Sequence, residues 1–179
     1  MDRFLGWARR EYSARQRLIA LAFEGILFVA VIPALLVVTS AALDRWLQLP
    51  RFVRGALNPL VGLLCILPGG LLALWAVHAL FVLGRGTPVP VMPTQQLVVR
   101  GPYACCRNPM QLGAVLALWG IGIWIGSPSA LGLTLVVAAF LVAYIKLIEE
   151  KELEARFGPD YLEYKRRTPF LIPRLRRKT

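Results

Sequence analysis

Arg107, Asn108, Glu149 and Glu150 are the side chains of this sequence best placed to do chemistry, because they interrupt or border strongly apolar runs. The first two lie in Leu97 to Gly113, which also carries Arg100, Tyr103 and Gln111, and the acids close a later apolar run at Ile148-Glu149-Glu150. A polar group beside hydrocarbon costs free energy unless it is paired or wet, so residues this dense need a common purpose. A guanidinium next to carboxylates can grip an anion through two parallel hydrogen bonds and offer a partner to a cation. A carboxylate can also take up a proton from a substrate. The expectation is one site at a membrane face, lined by all four.

The elements that must position such a site are membrane helices. The 179 residues are 57% hydrophobic and only 17% charged, against about 25% charged in an ordinary soluble domain. Apolar runs near 20 residues make this an all-α, polytopic membrane protein, read as a single domain over residues 1–179. The formal charge of +11 is carried by Arg and Lys that flank apolar segments. They form no stripe with interleaved aromatics, so anionic membrane lipids are the expected partner and nucleic acid is not. Cys65, Cys105 and Cys106 give neither a disulfide framework nor metal-ligand spacing, so no metal is expected.

About four transmembrane helices are expected, the last two as a helical hairpin. Residues 1–17 carry five arginines with Phe4, Leu5 and Trp7 and read as an interfacial segment. Residues 18–84 hold the first two spans, about Leu18 to Leu43 and Leu57 to Gly84. Glu24, near the start of the first, is read as snorkelling or pairing with a basic residue. Pro68-Gly69-Gly70 is expected to interrupt the second. His78 reads as a helix–helix hydrogen bonder or, less simply, a base. Residues 85–108 form a loop, extended where Pro88, Pro90 and Pro93 exclude helix. Gly84 and Gly86 let the backbone approach a ligand closely, though this Gly-x-Gly lacks the strand-turn-helix setting of a Rossmann nucleotide site.

Residues 109–148 make the hairpin, with an uncharged tip at Gly126-Ser127-Pro128-Ser129 and basic open ends. The positive-inside rule puts both termini in the cytoplasm, with Arg85, Arg107, Glu149 and Glu150 on that side, most simply of the cell inner membrane. Arg45, Arg51 and Arg54 in the first loop count against this orientation. In residues 149–179, four acids in six residues at a helix end oppose the macrodipole, so cations are expected to compensate. The tail reads as a turn and a C-terminal amphipathic helix. Its Tyr161, Leu162 and Tyr164 are placed at the interface and its basic residues on lipid phosphates.

Arg107-Asn108-Pro109-Met110-Gln111-Leu112-Gly113, the Glu149-Glu150 pair, and Phe157-Gly158-x-x-Tyr161-x-x-Tyr164 with Pro169 resemble the isoprenylcysteine carboxyl methyltransferases and the related phospholipid N-methyltransferases. Gly84-Arg85-Gly86 and Asn108-Pro109-Met110 match the phospholipid branch. The resemblance covers Phe81 to Pro173, about half the chain. It implies an integral membrane methyltransferase using S-adenosylmethionine, with the cofactor enclosed between the last helices and residues 149–179. Cofactor contacts carry over to Gly84, Gly86, Arg107, Pro109, Glu149 and Glu150, and catalytic roles fall to Arg107, Asn108 and Glu150. Asn108 stands where many members have His, and Gln111 where most have Tyr.

Methyl transfer from a sulfonium is an in-line displacement, governed by positioning and electrostatics. An amine acceptor needs a base, for which Glu149, Glu150 and His78 are all candidates, whereas a carboxylate, thiolate or phenolate does not. The acceptor is expected to be lipophilic and to arrive laterally from the bilayer. Two other classes are carried beside this one. One is a relative of the NADPH-dependent sterol reductases; the other is a non-catalytic lipid-binding or scaffold protein.

Overall fold

The structure is a computed structural model that describes residues 12–52, 55, 57–88 and 92–172. The described residues are helical and contain no strand. Among the described residues five helices follow in order: α1 (Ala14–Trp46), α2 (Leu57–Val82), α3 (Pro109–Ile125), α4 (Pro128–Phe157) and α5 (Pro159–Arg167), with one 3-10 turn at Gly101–Ala104. α1, α2 and α4 are long and apolar enough to cross a membrane, and α3 is a shorter apolar helix. Its 17 residues span about 26 Å, close to the hydrocarbon thickness. Phe23, Val29, Val38, Leu71, Phe140 and Leu147 are exposed along these helices, as lipid-facing side chains are.

The helix ends follow from local sequence. Ser13 and Gln16 form a reciprocal capping box before α1: the Gln16 amide N–H donates to Ser13 Oγ at 3.3 Å and the Ser13 N–H to Gln16 Oε1 at 2.9 Å. Prolines open α3, α4 and α5, where a missing N–H costs nothing. Gly126 (φ 67°) and Gly158 (φ 52°) provide the left-handed joints before α4 and α5. Two helices contain one wide π-turn each. In α1 it is Leu27–Val31, just before Pro33, whose ring cannot accept a regular turn behind it. In α4 it is Ile145–Glu149, and it brings Ile145 and Glu150, five residues apart, to buried positions.

The described chain divides into two compact units. The first comprises 25–73 and 111–144. In it α2 and α3 run antiparallel at backbone contact. A Cβ on Gly62 would meet the Gly120 carbonyl at 2.8 Å, and one on Gly69 would meet the Gly113 carbonyl at 2.7 Å. Glycines seven residues apart on both helices therefore face each other, the small-residue contact that membrane helices use in place of hydrophobic burial. This replaces the interruption expected at Pro68-Gly69-Gly70: α2 is continuous through Pro68, and Gly69 is a packing surface. The hairpin tip is tied to α1, because Asp44 accepts from the Ser127 hydroxyl at 2.5 Å and from the Ser129 N–H at 3.1 Å. Ser127 Oγ in turn accepts from the Ala130 N–H at 3.0 Å. Asp44 thus finishes the N-terminus of α4.

The second unit comprises 1–24, 74–110 and 145–179. Its core packs Ala76, Ala79, Val98 and Tyr103 with Leu80 and Met110. Arg17 donates to the Phe81 carbonyl at 3.0 Å and lies over the Phe81 ring. Glu24 does not snorkel. It is buried and accepts from the Thr87 hydroxyl at 2.7 Å. Most of the expected N-terminal interfacial segment, Arg54, and the last seven residues lie outside the described residues.

Candidate functional site

Two backbone turns deliver Arg107 and Asn108. Gly101, with φ 62°, opens the 3-10 turn, whose Pro102 and Tyr103 are buried. Pro109, fully buried, then starts α3. Between these fixed points Cys106 is 1% exposed, and burial raises its thiol pKa above the ordinary value of 9.0. Arg107 and Asn108 are bonded to successive main-chain carbonyls of the tail. The Arg107 N–H donates to the Pro169 carbonyl at 2.9 Å, and Asn108 Nδ2 donates to the Phe170 carbonyl at 2.9 Å. Phe170 lies beneath two cations, 5.5 Å from the Arg107 guanidinium and 5.0 Å from the Lys146 ammonium.

The acids come from the other end of α4. Glu150 is 6% exposed and its carboxylate is committed on both oxygens. Oε1 pairs with Arg107 Nη1, and Oε2 lies 2.7 Å from Lys165 Nζ. Lys165 also reaches Glu154 Oε1 at 2.8 Å, and its pKa is raised above 10.5 chiefly by the hydrogen bond to Glu150. Arg156 pairs with Glu152 and donates to the Thr94 carbonyl. The cations expected to offset the acidic helix end are therefore Arg107, Arg156 and Lys165.

Tyr161 and Tyr164 correct the reading of the tail. They are 2% and 8% exposed, while Leu162 between them is 48% exposed, so α5 turns its tyrosines inward. The Tyr164 hydroxyl donates to the Tyr103 carbonyl at 2.7 Å. Burial raises the phenols of Tyr103, Tyr161 and Tyr164 above their ordinary 10.0; at Tyr161 the Glu150 charge adds to this and Arg107 opposes it. Lys165 faces Glu150 rather than lipid phosphates, unlike the placement its basic neighbours suggest. The signal was available in the spacing of Tyr161, Tyr164, Lys165 and Thr168, which is one helical face.

Glu149 is half-buried. It has no ion-pair partner among the described residues and its charge acts on the Tyr103 phenol. His78 is exposed. Gly84 and Gly86 are buried, but their missing Cβ atoms make room for the protein itself. A Cβ on Gly86 would meet Thr94 Cα at 2.5 Å, and one on Gly84 would meet Thr94 Cγ2 at 2.9 Å. Gln95 and Gln96 donate back to the Gly84 carbonyl at 2.7 and 3.3 Å. The cluster the structure assembles is thus Arg107, Asn108, Glu150 and Lys165 with Tyr161, Tyr164 and Phe170. Pro109 supports it, Glu149 is at its margin, and the glycine turn is joined to it through Thr94 and Arg156. No group of three or more metal-ligating side chains occurs among the described residues.

One donor of the cluster is left unmatched. Arg107 Nε is buried and has no hydrogen-bond partner among the described residues. A buried donor left unmatched costs about 1–3 kcal/mol, and an anion supplied from outside removes that cost.

The profile of the phospholipid methyltransferase family matches residues 57–160. Methanethiol S-methyltransferase 2 of Bradyrhizobium diazoefficiens is 34% identical over 111 residues, covering 59% of this chain and 39% of that protein. The cobalt-zinc-cadmium resistance protein CzcN of Cupriavidus metallidurans is 36% identical over 57% of this chain and 43% of its own. The nickel-cobalt-cadmium resistance protein NccN of Alcaligenes xylosoxydans xylosoxydans is 32% identical over 64% and 49%. The chain thus spans less than half the length of these relatives.

Proposed function

The chain belongs to the phospholipid methyltransferase family, and from that premise we propose that it is an integral membrane methyltransferase drawing its methyl group from S-adenosylmethionine and delivering it to a lipophilic acceptor. The observation that carries this reading is the largely buried Arg107 guanidinium, held on one side by Glu150 and unmatched at its buried Nε. S-adenosylmethionine supplies an electrophilic methyl on a sulfonium, and its amino-acid end carries the carboxylate that such a donor fits.

In this reading Arg107 binds the carboxylate through Nε and a neighbouring N–H, the two-point grip of a guanidinium on a carboxylate. Glu150, spent on Arg107 and Lys165, orients the guanidinium and keeps the cluster near neutrality. It is a positioning residue, and the base role falls to Glu149 when the acceptor is an amine. Glu149, carrying no cation of its own among the described residues, also offers a partner to the ammonium. Asn108 holds the tail main chain over the site, which excludes water from an in-line displacement. Gly84 and Gly86 contribute indirectly, by letting residues 92–96 pack down on their turn.

The acceptor arrives laterally from the bilayer, consistent with the exposed apolar faces of α2 and α4. A lipid amine fits the family's description, and a thiol fits the description of the Bradyrhizobium relative. Both termini and the site face the cytoplasm, on the strength of basic residues at the open ends of the hairpin. The test is thermal denaturation of detergent-purified protein with S-adenosylhomocysteine, and with NADPH as control. A ligand selective for the folded state raises apparent stability by mass action. A rise with S-adenosylhomocysteine alone is expected; a rise with NADPH alone would replace this reading with a reductase.

A further inference from the structure

A second polar feature lies in the other compact unit, where α1 ends. An open cleft of about 440 Å³ is lined there by Val37, Ala41, Asp44, Arg45, Arg51 and Ile125, together with Gln48, Leu49 and Ser127. Its walls change character along one face of α1. Val37, Ala41 and Arg45 recur every four residues, so they stack over about 12 Å from apolar to cationic, and Gln48 follows in the turn beyond the helix end. A phospholipid has the same gradient, from acyl chain to charged headgroup. Gln48 at the turn adopts φ 53°, a left-handed conformation uncommon outside glycine. This bends the chain so that Arg51 returns to the same cleft as Arg45.

The charges decide the ligand's sign. Two arginines and one aspartate line the cleft, and that carboxylate is already bonded to Ser127 and Ser129. Neither arginine is ion-paired among the described residues. The lining carries a formal +1 (two Arg less one Asp), matched by a single phosphodiester anion. We propose that this cleft binds the phosphodiester headgroup of an anionic phospholipid between Arg45 and Arg51, its acyl chain lying along Val37, Ala41 and Ile125. The site is separate from the Arg107 cluster and does not depend on the methyltransferase reading. Guanidinium is suited to it, since planar paired donors match phosphate oxygens better than an ammonium does.

The experiment is native mass spectrometry of the detergent-purified full chain, titrated with phosphatidylglycerol, phosphatidylcholine or inorganic phosphate. The wild type is expected to retain phosphatidylglycerol in preference to the other two. Arg45→Gln/Arg51→Gln should weaken that retention about tenfold, or roughly 1.4 kcal/mol, while the charge-matched Arg100→Gln/Lys151→Gln, at exposed positions away from the cleft, does not. Ala41→Phe, which fills the apolar wall without altering charge, should also evict the lipid. Equal retention by Arg45→Gln/Arg51→Gln and wild type overturns the proposal. So does inorganic phosphate binding in place of the lipid, or loss of lipid in the control variant to the same extent.

Discussion

Lys165 and Glu150 meet at 2.7 Å across the α4–α5 joint, so the buried carboxylate is shared between this ammonium and the Arg107 guanidinium. Removing the carboxylate and removing the ammonium are therefore unequal injuries. Glu150→Ala strands Arg107 with no counter-charge and should cost about 3 kcal/mol of stability. Lys165→Met removes a partner that is a third exposed and screened by solvent, for a loss of roughly 0.5–1 kcal/mol. Denaturant unfolding in detergent measures both. Equal losses would mean that Glu150 does not depend on Arg107.

Cofactor affinity separates holding from positioning. Arg107→Ala should weaken S-adenosylhomocysteine binding by on the order of 2 kcal/mol or more, a buried charge-assisted contact being lost. Lys165→Met should weaken it only severalfold. Calorimetric titration reads each variant, and unchanged affinity in Arg107→Ala would sink the site assignment.

Stability should decline at alkaline pH. Cys106, Tyr103, Tyr161 and Tyr164 have folded-state pKa values raised by burial from 9.0 and 10.0, and Lys165 is raised from 10.5 by its hydrogen bond to Glu150. Above those ordinary values the unfolded chain holds fewer protons than the folded one, so the contribution is complete below about pH 9 and is lost as pH rises. Melting temperature against pH checks the direction. Tyrosine absorbance should show that three of the five tyrosines ionise only with unfolding.

Two adjacent glycines in α2 should respond oppositely. A Cβ at Gly69 meets backbone atoms of α3 at 2.7 Å, whereas one at Gly70 meets nothing within 4 Å. Gly69→Leu should destabilise by about 1–3 kcal/mol or more through overpacking. Gly70→Ala should gain up to about 1 kcal/mol from helix propensity. Thermal melts of the two variants distinguish a packing contact from a flexible break.

The helices were legible because apolar runs of this length have one stable form in a bilayer, and the acidic run after Lys146 was legible because its charge demanded cations. Which cations answered was not. Lys165 looked like its neighbours Arg166 and Arg167 until the burial of Tyr161 and Tyr164 fixed the face of α5. The same limit applies at Pro68-Gly69-Gly70, where composition alone cannot separate a kink from a contact, since the deciding atoms belong to Gly113 and Ala117 on another helix. At the glycine turn 84–86 the room left by the missing Cβ atoms is taken by Thr94, a neighbour that local sequence does not identify.

Asp44 completes the start of α4 from a position 83 residues before Ser127, and this gives the polypeptide a direction in time. During synthesis the capping carboxylate is already made when the hairpin tip emerges, so the last span meets a waiting acceptor for its Ser129 N–H. A permuted chain that made the hairpin first would leave that group uncapped until Asp44 followed. The sequential order of the spans is thus part of how this end of the protein is assembled.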